Sequence, residues 1–414
     1  MRAAELRGTS SNISLPCPTH LHHPLMGCLG SLDGPCIEKL LLHCAGALEA
    51  NDITLAQQVM WVLNNVASSH GDPNQRLTQW FLRALIVRAS RLCPTAMPFD
   101  ATGLVRPRPM SVTELAGYVD LTPWHRFGFS ASNGAILKAV QGRRNVHIVD
   151  FSITYCMQWP TLIDEMAKWP EGPPALRITV PSTRPPVPPL LNTSAEEVGL
   201  RLMKFAKLRD VPLEFKVISV TNNGNLGARE LNPSSLGLRV DEALVINCQN
   251  WLRYVPSDTR DGFLDLIHEL NPILVTATDE DADLDSPSLT SRIITCFNYL
   301  WIPFDSLETF LPKESSQRMD YETDIGKKIE NIIGFEGAQR IERLESGMRF
   351  AQRMKRAGFA SLAFEEETVS EVKLLLSENA SGWGMKSEEE MLVLTWKGHC
   401  SVFTTAWVPT GFDE

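Results

Sequence analysis

The sequence predicts an α/β fold: a mostly parallel sheet flanked by helices, preceded by an α-helical cap and closed by a C-terminal β-hairpin. Three observations carry this expectation. From residue 146 onward, short apolar runs alternate with helical segments, the pattern of buried parallel strands joined by helical crossovers. Before them, three amphipathic segments follow one another with short breaks, as in a layer of antiparallel helices. Near the end, two strand-like runs flank K-G-H-C, as in a hairpin.

Residues 1–30 are polar, with Gly, Ser, Pro and His, and a weakly ordered tail is expected there. I-E-K-L-L-L-H-C-A-G-A-L-E-A (37–50) puts Leu41, Ala45 and Leu48 on one helical face. Asn51 and Asp52 break it, which argues against a continuous coiled coil despite the heptad-like Leu41–Leu48–Leu55 spacing. L-A-Q-Q-V-M-W-V-L-N-N-V (55–66) makes a second helix. Asp72 reads as the N-cap of a third, with Pro73 at its first position. Strands are expected at 146–150, 175–180, 213–219, 243–248 and 272–278, with helices at 161–169, 197–208 and 260–270 between them. The last third predicts a long helix over about 337–357, in which Glu336–Arg340 and Glu345–Arg349 would pair at i,i+4. The runs M-L-V-L-T-W (391–396) and S-V-F-T-T-A-W (401–407) form the hairpin that closes one sheet edge. The expected organisation is a tail over 1–30, a helical cap over 31–125 and the sheet core over 126–414.

Composition narrows the function. Of 414 residues, 43% are hydrophobic and 21% charged, which is ample for a large core. The net charge is -10, so any nucleic-acid contact needs a local basic patch. Nine scattered cysteines form no C-x-x-C pair, and the odd count argues against a complete disulfide framework and for a reducing compartment. The N-terminal residues lack the apolar core of a signal peptide, and no apolar run approaches a membrane span.

Strand 146–150, V-H-I-V-D, ends on Asp150 as the first strand of a cofactor-binding α/β fold would. Nucleotide and adenosyl-methionine sites need glycines after that strand, because a side chain blocks close backbone approach. Here Phe151, Ser152, Ile153, Thr154 and Tyr155 follow, and no cofactor site is expected. Asp150 instead satisfies loop amides or the next helix's N-terminus. His147 reads as a buried, hydrogen-bonded core histidine. Cys156 shows no local base to make it a nucleophile. H-L-H-H (20–23) has no distant ligand partners. D-E-D-A-D-L-D (279–285) lacks the glycine and terminal glutamate of a calcium loop and reads as a solvated acidic loop. G-x-S-x-G, P-loop and H-E-x-x-H motifs are absent, so no catalytic set is expected.

Two binding features remain. Arg201, Lys204, Lys207 and Arg209 form a basic cluster on an acidic chain, and R-F-A-Q-R-M-K-R (349–356) forms another. Each is either a solvated helix face or a phosphate or partner contact. Trp383, Trp396 and Trp407 either pack the terminal sheet or line a protein-binding groove. Trp159 and Pro160 fix the start of the following helix.

Together these blocks resemble the GRAS family of plant transcriptional regulators, from about residue 28 to the end. Val146, His147, Ile148, Val149 and Asp150, with Gln158, Trp159 and Pro160, are similar to that family's valine-histidine-acid block. L-L-L-H-C-A and its two following helices resemble the first leucine-rich region, and 197–215 the second. L-N-P (270–272), F-N-Y-L-W-I-P-F-D-S-L-E (297–308) and W-G-M-K…L-T-W-K-G…T-A-W-V-P resemble the later blocks, Trp383, Trp396 and Trp407 among them. The resemblance implies a helical cap on a Rossmann-like, methyltransferase-related core in a nuclear regulator of transcription. It implies zinc-finger transcription factors and other GRAS proteins as partners, in homo- or heterodimers, and leaves direct DNA contact open. A small-molecule binder or S-adenosylmethionine-dependent methyltransferase is the alternative. Lys327-Lys328, Met385 and Thr405 depart from the family's usual residues, and the 219–240 segment is shorter than usual, which puts a helix there in doubt.

Overall fold

A computed structural model describes residues 34–94, 108–219 and 231–411. The tail, H-L-H-H and residues 220–230 of the shortened segment lie outside the described residues. The chain forms two compact units, a helical one containing 34–94 and 286–340, and a sheet-based one containing 108–285 and 341–411.

Helices α1 (Gly34–Glu49), α2 (Ile53–Val66) and α3 (Pro73–Leu92) open the helical unit. α1 buries Ile37, Leu40, Leu41, Cys44 and Leu48 along one stripe. Asp52 caps α2 by accepting from the Leu55 amide at 3.0 Å. Asp72 and Gln75 form a reciprocal capping box at α3, with Pro73 at its first turn. Each break seen in the sequence is therefore a cap that satisfies amides the helix cannot.

The sheet unit begins with α4 (Val112–Asp120) and α5 (Pro123–Ala139). Next come β1 (Asn145–Ser152), α6 (Trp159–Met166), β2 (Ala175–Pro181), α7 (Ala195–Lys207) and β3 (Leu213–Ile218). A one-turn helix α8 (Pro233–Leu236) is the described remnant of the shortened segment. β4 (Ala243–Gln249), α9 (Arg260–Glu269) and β5 (Leu274–Glu280) complete the parallel part. Its order is β3-β2-β1-β4-β5, all parallel, the Rossmann-like arrangement in which the order of the strands along the chain reverses at β1 and β4. All five expected strands are present.

The chain then returns to the helical unit as α10 (Leu289–Glu308) and α11 (Ser316–Gly334). Buried Arg76 of α3 ties both: its guanidinium lies 2.9 Å from Glu308 and 3.0 Å from Glu322. Glu49 at the end of α1 accepts from the Leu289 amide at 2.7 Å, capping α10.

The last stretch of the sheet unit is α12 (Gly347–Arg356), β6 (Phe359–Leu362), α13 (Glu366–Ser377), β7 (Trp383–Glu388), β8 (Met391–Trp396) and β9 (His399–Pro409). β8 and β9 form the expected hairpin, turned by Lys397 and Gly398 at φ 48° and 85°. The pair does not itself close the edge. β9 runs antiparallel to β5, β8 follows, and β7 takes the outer position. Residues 359–362 form β6, which pairs with β9.

Side chains alternate across β1 as a strand requires. Val146 and Ile148 pack with Ile136 of α5, Leu162 of α6 and Leu202 of α7. Val149 and Phe151 pack with Phe263 of α9 and with Phe350 and Met354 of α12.

Two expectations fail in the same place. The long helix over 337–357 starts only at Gly347, and the acidic loop 279–285 is not solvated. The two segments bind each other. Asp281 accepts from the Gly347 amide at 2.9 Å and Asp283 from the Ser346 amide at 3.1 Å. Asp285 pairs with Arg343 at 2.7 Å and Asp283 with Arg349 at 3.2 Å. Glu345 pairs with Arg260 and Arg353 rather than with Arg349. Arg253, only 1% exposed, meets Asp279, Glu280 and Glu342. Buried charges demand partners, and here that demand outweighs the few tenths of a kcal/mol that helical i,i+4 pairs offer.

Replacing Arg253 with Ala should strand these carboxylates and cost about 3–5 kcal/mol in urea unfolding. Arg349→Ala, which removes an exposed pair, should cost less than about 1 kcal/mol. Equal losses for both would refute the assignment.

Candidate functional site

In this fold ligands bind beyond the strand ends where β1 and β4 diverge. Asp150 of β1 stands in register with Asn247 of β4 at that point. β1 runs on to Ser152, so Asp150 lies inside the strand rather than at its end. Its side chain is fully buried on the face covered by α5 and α6. Asn247 donates to its carboxylate at 2.8 Å, Ser152 at 3.0 Å and the Trp159 indole at 3.1 Å. The expected loop and helix amides are not its partners among the described residues; side chains are. Burial holds its carboxyl above the ordinary range, against the lowering effect of Asn247 and Arg184.

The hydrogen bonds continue outward. Asn247 also donates to Gln158 at 3.1 Å and accepts from Thr276 at 2.8 Å and Gln249 at 3.1 Å. Gln158 donates to Asn133 of α5 at 3.0 Å, and Gln249 to Ser132 at 2.8 Å. α5 approaches so closely that a Cβ on Gly128 would lie 2.5 Å from Thr278. The crevice at the switch point is thus crossed by bonded side chains of this chain.

The loop after β1 reinforces this. Tyr155 and Cys156 adopt φ of 53° and 67°, the left-handed region that favours glycine. The backbone bends as a glycine loop would, yet Ile153, Thr154 and Cys156 are buried side chains there. Arg184 holds the loop by donating to the Ser152 carbonyl at 2.9 Å and stacking on the Tyr155 ring at 4.3 Å. A nucleotide or S-adenosylmethionine, which needs close backbone approach and an available carboxylate, does not fit this donor set.

His147 is buried and bonded to Thr179 at 2.8 Å. Burial, with Arg177 nearby, lowers its pKa to about 3. Cys156 lies 3.9 Å from Asp150, and burial pushes its thiol well above the ordinary range, away from thiolate chemistry. Pro160 occupies the first turn of α6, and Gln158 precedes it.

The tryptophans divide. Trp396 and Trp407 are buried, Trp383 partly so. Trp383 and Trp396 are register partners with rings 4.9 Å apart, while Trp407 packs against Phe350 in the core beside α12. In the basic cluster on α7, Arg201 is paired with Glu197 at 2.6 Å, and Arg209, beyond its end, with Asp164 at 2.7 Å. Lys204 and Lys207 are exposed and enter no ion pair among the described residues. In the second cluster Arg353 is committed to Glu345 and Asp261. Of the departures, Lys327 pairs with Glu330 at 2.7 Å and Thr405 donates to the Ala277 carbonyl at 3.2 Å.

Sequence reasoning missed Asn133, Asn247, Gln249 and Thr276. The available signal was polar residues spaced two apart inside apolar strand runs, as in I-N-C-Q (246–249) and V-T-A-T (275–278).

Residues 37–408 match the model of the GRAS domain family. The chain belongs to the GRAS family. It is 47% identical to Scarecrow-like protein 32 of Arabidopsis thaliana, over 93% of this chain and 96% of that one. It is 31% identical to Protein SHORT-ROOT of Arabidopsis thaliana, over 90% of this chain and 73% of that one. A crystal structure of SCL7 in Oryza sativa superposes with a TM-score of 0.74 at 27% identity, covering 90% of this chain and 99% of that one. GRAS proteins, Scarecrow-like, SHORT-ROOT and DELLA proteins among them, are plant developmental regulators. No helix of the described residues is long and apolar enough to cross a membrane.

Two outcomes follow from the geometry. Asp150→Ala deprives the Ser152 hydroxyl and the Trp159 indole of their acceptor, and Asn247 of one of its two, and should cost at least about 2 kcal/mol, at ~1–3 kcal/mol per orphaned group. Because the His147 pKa is lowered to about 3 from 6.5, the folded state binds fewer protons than the unfolded one between those values. Its contribution to stability should therefore rise with pH from about 3 to 6.5, by up to ~1.4 kcal/mol per unit, and be flat above. His147→Gln should flatten that window in urea titrations; an unchanged slope would contradict the burial argument.

Proposed function

We propose that this GRAS protein regulates transcription in the nucleus through contacts with other transcription factors, zinc-finger and GRAS proteins among them, and performs no catalysis. The observation that supports this reading most is the closed switch-point crevice. The carboxylate that would meet a ligand, Asp150, is saturated by Ser152, Trp159 and Asn247. What the fold offers instead is surface. DNA contact in this reading is local and weak: Lys204 and Lys207 are unpaired among the described residues, and the exposed pairs of Arg201 with Glu197 and Arg209 with Asp164 are weak enough for phosphate to displace.

S-adenosylmethionine should leave the melting temperature unchanged. A ligand at a hundredfold excess over its Kd would stabilise by about 2.7 kcal/mol, and a rise of that size would favour the methyltransferase alternative. Any duplex DNA binding should show a log K against log salt slope no steeper than about −4, as the four cations of this cluster imply. It should weaken on neutralising Arg201, Lys204 and Lys207. Failure of the purified chain to bind any zinc-finger transcription factor in calorimetry would overturn the partner reading.

A further inference from the structure

The sheet unit carries a cleft of about 400 Å³ that borders the switch-point network at Asn133. Its walls are α4, α5, α6 and α13. The floor is apolar: Val119, Phe129, Leu137, Met157 and Leu375. Behind it the structure is fixed, since Asn133 is bonded to Thr161 at 3.0 Å and a Cβ on Gly134 would lie 2.2 Å from Thr368. The lip is acidic. Glu165 of α6 and Glu371 of α13 both line it, and Asp120 is paired with Arg126 at 2.6 Å. Glu371 enters no ion pair among the described residues, and Glu165 holds only the exposed Lys168 at 2.6 Å, a contact worth at most about 1 kcal/mol. Burial, with Glu367 and Glu165 adding repulsion, holds the Glu371 carboxyl above its usual range. A cation placed between the two glutamates would relieve that repulsion.

We propose that this cleft is a docking site for a protein segment that sets a large apolar side chain on the Phe129–Met157–Leu375 floor and a flanking Lys or Arg between Glu165 and Glu371. The inference rests on the reading of the chain as a protein-binding regulator and gives that reading a surface and a partner chemistry. A mixed site of this kind, an apolar anchor pocket with a charged rim, gains affinity from burial and selectivity from charge. It disfavours nucleic acid, whose phosphates the lip would repel, and acidic peptides for the same reason.

The test uses the full chain and a phage-displayed library of random peptides, with counter-selection against the E165K/E371K double variant. Circular dichroism melts confirm that the variant is folded; Ser130→Trp, which fills the lip without changing charge, serves as a second probe. Recovered peptides should carry Lys or Arg next to a large apolar residue. In synthetic form they should bind the wild type at least about tenfold more tightly than either variant, and more weakly at high salt. Peptides that bind wild type and both variants equally would overturn the site while leaving protein binding elsewhere intact. Acidic peptides, no peptides, or a self-association lost in the same variants would also overturn it.

Discussion

The hydrogen bond from Asn247 to Asp150, 2.8 Å long across the junction of β1 and β4, is the contact on which the rest of this fold turns. A carboxyl group buried among apolar strands is costly unless hydrogen-bond partners surround it. Asp150 is surrounded by Ser152, Trp159 and Asn247, and each donor belongs to a different feature: the strand's own end, the next helix and the neighbouring strand. Satisfying one acid therefore fixes the loop, the entry of α6 and the register of β4 together. The place where a related fold would seat a ligand becomes a structural joint.

A second electrostatic constraint organises the far side of the sheet unit. The alternating acids after β5 would repel one another in isolation. They are held by Arg253, Arg343 and Arg349 and by the amides of Ser346 and Gly347 at the start of α12. This arrangement places α12 against Phe263 and Phe403 in the core. These acids are neutralised locally by arginines, which leaves the chain's net charge of -10 unchanged.

Much of this was legible in the sequence. The five parallel strands announce themselves as apolar runs, and Asp52, Asp72 and Pro73 mark helix starts because capping is local chemistry. His147 inside an apolar strand reads more readily as a bonded core residue than as a ligand or base, and it is bonded to Thr179. What sequence could not show depends on contacts between distant segments. Nothing in D-E-D-A-D-L-D reveals that residues 343–349 will cover it, so it reads as solvent-facing. The same blindness extends the predicted helix back to 337: the expected Glu336–Arg340 pair does form, at 3.5 Å, but without a continuous helix between them. Helices α10 and α11 are not among the elements expected from the sequence, nor is their union with α1–α3 in one unit. The polar side of the switch point, Asn247, Gln249 and Thr276, is visible only as interruptions in apolar runs, and their convergence needs the strand order.

The central claim is that the loop following β1 is locked into the core and does not open to admit a ligand. Native-state amide hydrogen exchange of Ile153, Met157 and Trp159, whose amides donate to Gln249, Thr154 and Cys156, tests it most directly. The account predicts exchange only through unfolding with the global free energy of the sheet unit, unaffected by S-adenosylmethionine. Fast exchange by local opening, suppressed when S-adenosylmethionine is added, would contradict it.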